Sequence, residues 1–155
     1  MGEPAGARSL SRRLLAALVA APMLLSAAPV PLVDVRVTVT NVRSHEGVVR
    51  ACMTADPERF PRCRGDSAAH ALVVHADERL QLDFADVAPG TYAIALLHDE
   101  NENGKADRVL GMMPREGFGF SRDARIHMGP PAFEDAAFAV RRAPVQQTIR
   151  MRYIL

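Results

Sequence analysis

The sequence predicts an all-β fold: a single antiparallel two-sheet β-sandwich of about seven strands carrying one long Gly/Pro-rich loop. Three observations lead there. Several short stretches alternate apolar and polar residues with a period of two, and clusters of turn residues separate them. No stretch beyond residue 30 keeps a helical period.

In chain order, the first segment is not part of the fold. Arg8, Arg12 and Arg13 form a basic start, and Leu14 to Ala28 follows, apolar apart from Ser26. This is the order of a secretory signal, in which positive charge stays behind while the apolar run enters the export channel. Pro22 and Pro29 interrupt a run already short of the ~20 residues a membrane span needs. The expected organisation is therefore a signal peptide over 1–28 and a β-sandwich domain over 29–155. The mature protein is then periplasmic or extracellular, with no stable membrane insertion after cleavage.

The strands follow. Val33, Val35, Val37 and Val39 face one way, and Asp34, Arg36, Thr38 and Thr40 the other. Residues 41–47 read as a turn and 48–53 as the returning strand. Two more strands are expected over 71–75 and 79–84, with Asp77-Glu78 between them. Ala88-Pro89-Gly90 is a strong turn signal. Residues 91–98 then form a strand apolar on both faces, the mark of a central position. Short strands over 136–140 and 145–153 complete the set. Residues 99–135 hold Gly and Pro without a strand pattern, and connections this long tend to be binding loops or to pack over a sheet.

Charge narrows the partners. The chain has 19 Lys and Arg against 18 Asp and Glu. Residues 1–28 hold three Arg and one Glu, which leaves 16 basic and 17 acidic residues after cleavage. Near neutrality without a basic stripe speaks against nucleic acid. Export leaves a cell-envelope protein or a carbohydrate as partner classes. The two cysteines, Cys52 and Cys63, read as a disulfide because an exported chain matures in an oxidising compartment. No base is evident for a thiol nucleophile.

Chemistry concentrates in His98 to Asp107. Counted from Asp99, oxygen-bearing side chains fall at places 1, 3, 5 and 9 of a loop (Asp99, Asn101, Asn103, Asp107), Gly104 falls at place 6, and Lys105 at place 7 offers its carbonyl. These are the first nine places of an EF-hand-like loop, and Ca2+ suits them as a hard ion that takes oxygen ligands. Place 12 is Leu110 rather than Glu, and a strand precedes the loop instead of a helix, so a further ligand would come from Glu116, Asp123, Glu134 or Asp135. A plain Asp/Asn/Gly turn is the competing reading.

Elsewhere, Phe118 and Phe120 sit between glycines. They are expected to pack on the sandwich rather than stack a ligand. None of the five histidines shows a zinc-like spacing. A small hydrolase using His98 or His127, with Ser121 nearby, is the alternative from another class. A purely structural module without ligand is the third.

The stretches 98–107, Pro114 to Ser121 and Gly129 to Phe138, with the Pro-Gly-Thr-Tyr turn at 89–92, resemble the bacterial secreted family catalogued as domain of unknown function 2141, over roughly residues 33–153. The resemblance implies a small exported β-sandwich, similar in build to transthyretin-like and carboxypeptidase-regulatory-like domains, and implies no activity. Family members often carry Gly where this chain has Glu102. The expected function is an exported, non-catalytic module with a Ca2+-binding loop.

Overall fold

The structure, a computed structural model, describes Gly2 and residues 29–106, 108–109, 113–126 and 129–154. Apart from Gly2, the expected signal segment lies outside the described residues, as do Asp107, Leu110 and His127.

Ten strands are present among the described residues: β1 Val33–Thr40, β2 Val48–Thr54, β3 His70–His75, β4 Leu80–Val87, β5 Gly90–Asp99, β6 Arg108–Val109, β7 Met113–Pro114, β8 Gly117–Phe120, β9 Phe138–Val140 and β10 Val145–Arg150. A short helix, α1, covers Phe133–Ala136. One sheet runs β10-β1-β4 and the other β3-β2-β5-β8, with β9 paired to the start of β5 and β6 to β7 in a small ribbon. The two sheets are mostly antiparallel, as expected of a sandwich. β1 and β10 form a parallel pair, with Val35 opposite Val145.

The alternation that predicts the strands also builds the core. Val33, Val35, Val37 and Val39 are buried, while Asp34, Arg36 and Thr38 are exposed. The buried set meets Val49, Ala51 and Met53 of β2, Leu82 and Phe84 of β4, and Tyr92, Ile94 and Leu96 of β5 between the sheets. Each buried Val, Leu, Ile, Phe or Met among them adds ~1.5–3 kcal/mol of transfer free energy.

β5 is apolar on both faces because it serves two cores. Its odd-numbered Ala93 and Ala95 turn outward into a second cluster with Phe118, Phe120, Ala124 and Ala136, against which Phe60 and Phe133 pack. Phe60 meets Phe120 and Phe133 edge-on, with centroids 5.9 and 6.0 Å apart. The segment after β2 is thus folded over the outer face, and the Cys52–Cys63 disulfide ties its return to β2.

Several expectations change: β6 and β7 fall in the stretch read as loop, and the last strand ends at Arg150 rather than Tyr153. Residues 117–120, read as loop, form the edge strand β8, with Phe118 and Phe120 on the outer face. The glycines face inward, where a Cβ at Gly117 would lie 2.3 Å from the Tyr153 ring and one at Gly119 2.7 Å from Ile149. The strand expected over 136–140 begins only at Phe138, because Phe133–Ala136 turns once as helix after Pro131.

Beyond β10 the chain crosses from one sheet to the other. Met151 N–H donates to Thr40 C=O at 2.8 Å. Arg152 and Phe118 then exchange backbone hydrogen bonds of 2.8 and 3.0 Å. This crossing closes one side of the sandwich and delivers Tyr153 beneath β8. No helix among the described residues is long and apolar enough to cross a membrane.

Candidate functional site

The Asp99 loop begins where β5 runs out. Asp99 is fully buried, with a carboxylate surrounded by donors. Arg50 Nε from β2 lies 2.5 Å from Oδ2, Gly104 N–H donates to Oδ2 at 2.9 Å, and Asn103 N–H donates to Oδ1 at 3.0 Å. A carboxylate is buried only when paired and hydrogen-bonded, and all of this supplies that. Two smaller turns are nested within. Asn101 Oδ1 accepts from Asn103 N–H at 3.2 Å, and Asn103 Oδ1 accepts from Lys105 N–H at 2.8 Å. These are the local Asx bonds that Asn and Asp form in turns. Glu102 and Gly104 are left-handed, at φ 57° and 74°. A glycine at the Glu102 position would adopt that conformation without strain.

Of the five sequence-predicted positions, the structure brings Asp99, Asn101 and Asn103 together in one turn, with the Lys105 amide closing it. Asp107 lies outside the described residues. Among the described residues, no three His, Cys, Asp or Glu side chains gather at one point. Of the candidate extra ligands, Glu116 is buried near Arg43, and the other three go elsewhere. Asp123 pairs with Arg152 at 2.7 Å, and Glu134 and Asp135 are exposed on α1.

Sequence reasoning missed Arg50, which sits on a strand with no local sign that its partner lies 49 residues ahead. It also missed the polar node beside the loop. Arg43 holds Glu100 with both prongs, Nε to Oε1 at 2.9 Å and Nη2 to Oε2 at 2.5 Å. Ser44 donates to Glu100 Oε1 at 3.1 Å. The Arg43 guanidinium lies 4.5 Å from the centroid of the Tyr153 ring. Hydrogen bonding to Arg43 holds the Glu100 carboxyl below the usual carboxylate range, and burial pushes the Tyr153 phenol up. Gly47 makes this packing possible, since a Cβ there would lie 2.1 Å from the Asp99 carbonyl oxygen.

His98 belongs to the same node. It is fully buried, with Nε2 2.8 Å from Glu46 C=O and Nδ1 2.8 Å from Tyr153 Oη. The carbonyl only accepts, so Nε2 carries the hydrogen and Nδ1 accepts from the Tyr153 hydroxyl. That hydroxyl in turn accepts from Arg43 N–H at 3.1 Å. Ser121 is held at a different place on β5: Ile94 N–H donates to its Oγ at 2.9 Å, and it donates to Ala136 C=O at 2.6 Å. The structure therefore does not bring His98 and Ser121 together. Phe118 and Phe120 are buried in the second core, as expected, and present no stacking surface.

These features define a small all-β sandwich domain with a carboxylate-centred loop at one end. The chain belongs to the family of uncharacterized proteins conserved in bacteria, DUF2141, whose sequence pattern matches residues 37–148. No curated protein and no solved structure matches it.

Proposed function

We propose that the chain is an exported, non-catalytic β-sandwich module that serves a binding or accessory role at the cell envelope. The observation carrying this reading is the state of His98: buried, with both ring nitrogens committed to a backbone carbonyl and a tyrosine hydroxyl. A general base needs reach to a substrate proton, and this ring has none to spare. Ser121, with a buried hydroxyl bonded to the backbone on both sides, supports the same reading. The basic, then apolar, order of residues 8–28 supports export, and export supports the disulfide.

The test has two arms. Expression of the full chain in a bacterial host, with N-terminal sequencing of the periplasmic fraction, is expected to return a chain cut near residue 29; an uncut cytoplasmic chain overturns export. A panel of chromogenic esters and phosphate esters is expected to show no turnover. Turnover abolished by His98→Gln overturns the non-catalytic reading.

A second reading, that the 99–107 loop takes up Ca2+, is favoured by one observation. The side-chain oxygens at its first, third and fifth places all turn onto the loop's own amides, at Asn103, Gly104 and Lys105. In this reading Ca2+ competes with Arg50 for Asp99. Millimolar CaCl2 is expected to raise the melting temperature through binding to the folded state, and Asp99→Ala with Asp107→Ala to abolish the rise. An unchanged melting temperature in the parent protein ends it.

A further inference from the structure

Between the end of β1, the turn at Ser121–Asp123 and the stretch after β10 lies a shallow groove of about 320 Å3 lined by Asn41, Asp123, Arg150, Met151, Arg152 and Tyr153. Three features meet in it. The first is charge: two arginines and one carboxylate line it, and Arg150 forms no ion pair among the described residues. The second is an incomplete hydrogen-bond set. Arg152 Nη2 lies 2.7 Å from Asp123 Oδ2 and donates to the Asp123 carbonyl at 3.4 Å, while Nη1 is shielded from solvent without a partner among the described residues. Asp123 engages the guanidinium through Nη2 alone. The third is backbone strain. Arg122 and Asp123 are consecutive left-handed residues at φ 58° and 54°, and Asn41 across the groove is at 62°. Asn and Asp enter this region readily, but Arg122 does so at a cost, and such costs gather at ligand sites.

We infer that this groove binds a carboxylate-bearing ligand. The ligand takes the place of the Asp123 carboxylate on Arg152 Nη2 and meets the positive charge of Arg150. Asp123 is its internal stand-in. The Asp123 side chain is about half exposed (53%) and leaves Arg152 without opening the core. Binding forms no covalent bond; one carboxylate replaces another on the same guanidinium.

The probe is sodium acetate, titrated into 15N-labelled protein against sodium chloride at equal ionic strength. Saturable shifts are expected at the amides of Asn41, Arg122, Asp123 and Arg152. Arg150→Gln is expected to weaken acetate binding about tenfold, the scale of one charge-assisted hydrogen bond. Asp123→Asn is expected to tighten it by a similar factor, because it keeps the shape and removes the competing charge. Glu134→Gln removes one negative charge on α1 and is expected to leave the affinity unchanged. The inference is overturned if acetate and chloride give the same non-saturating shifts. It is equally overturned if Asp123→Asn leaves acetate affinity where it was, or if Glu134→Gln tightens it as much as Asp123→Asn does.

Discussion

Arg50 Nε and Asp99 Oδ2 stand 2.5 Å apart across the β2–β5 pair, a guanidinium with 35% of its side chain exposed resting on a carboxylate with none. The strand that ends in the loop is thus neutralised by the strand beside it. Arg50→Gln leaves Asp99 buried with only backbone donors. Breaking a buried pair from one side costs about 3–5 kcal/mol, and the bonds from Asn103 and Gly104 put this case at the lower end. Urea denaturation is expected to show a loss of about 3 kcal/mol. If the loop accepts Ca2+, millimolar Ca2+ restores part of it.

Gly47 is the second point at which the loop is open to a decisive change. Gly47→Ala places a methyl group 2.1 Å from the Asp99 carbonyl oxygen and 2.6 Å from Glu100 Cα, on a backbone already at φ 68°. Neither neighbour is a flexible side chain. A loss above about 3 kcal/mol is expected, in the range reserved for strain and overpacking. A chemical-denaturation midpoint equal to that of the parent would refute it.

The Arg43–Glu100 pair gives a pH dependence of definite sign. Arg43 holds the Glu100 carboxyl below its unfolded value, so its contribution is complete above the unfolded carboxylate range and is lost as pH falls through the lower, folded value. Both side chains are partly solvated, at 34% and 19%, which keeps the effect to about 1 kcal/mol. Arg43→Gln is expected to be less stable than the parent near neutral pH and to converge with it in acid. A gap that widens on acidification would contradict the pairing.

The disulfide closes a short loop that carries Phe60 over the second core. Its removal by Cys63→Ser is expected to lower stability by about 2–3 kcal/mol. Trypsin cutting after Arg59, Arg62 or Arg64 is expected to speed up well before the rest of the domain is attacked. Uniform cleavage across the chain would show that the bridge does not act locally.

How much of this was readable in residues alone follows from the range of each interaction. The valines of β1 and the doubly apolar β5 announce themselves because strand burial leaves a period of two within a few residues. β8 did not, because its inward positions are Gly117 and Gly119. The pattern is present, but the side chain that normally marks it is missing, displaced by Tyr153 and Ile149 from far along the chain. The loop's amide oxygens were legible because Asx turns are local. Arg50, Arg43 and Tyr153 were not, since each acts across 49 or more residues. An arginine on an otherwise apolar strand was the one available hint.

The parallel union of β1 with β10 has a consequence for timing. Val35 has no neighbour on that side until Val145 arrives, 110 positions later, and loop closure over such a span is slow compared with local hairpins. β1 can meet β4 early, and the seam with β10 and the crossing at Met151 and Arg152 are expected to form last. Until then the β10-facing edge of β1 keeps its backbone groups unpaired, and an unpaired edge is a template for another chain.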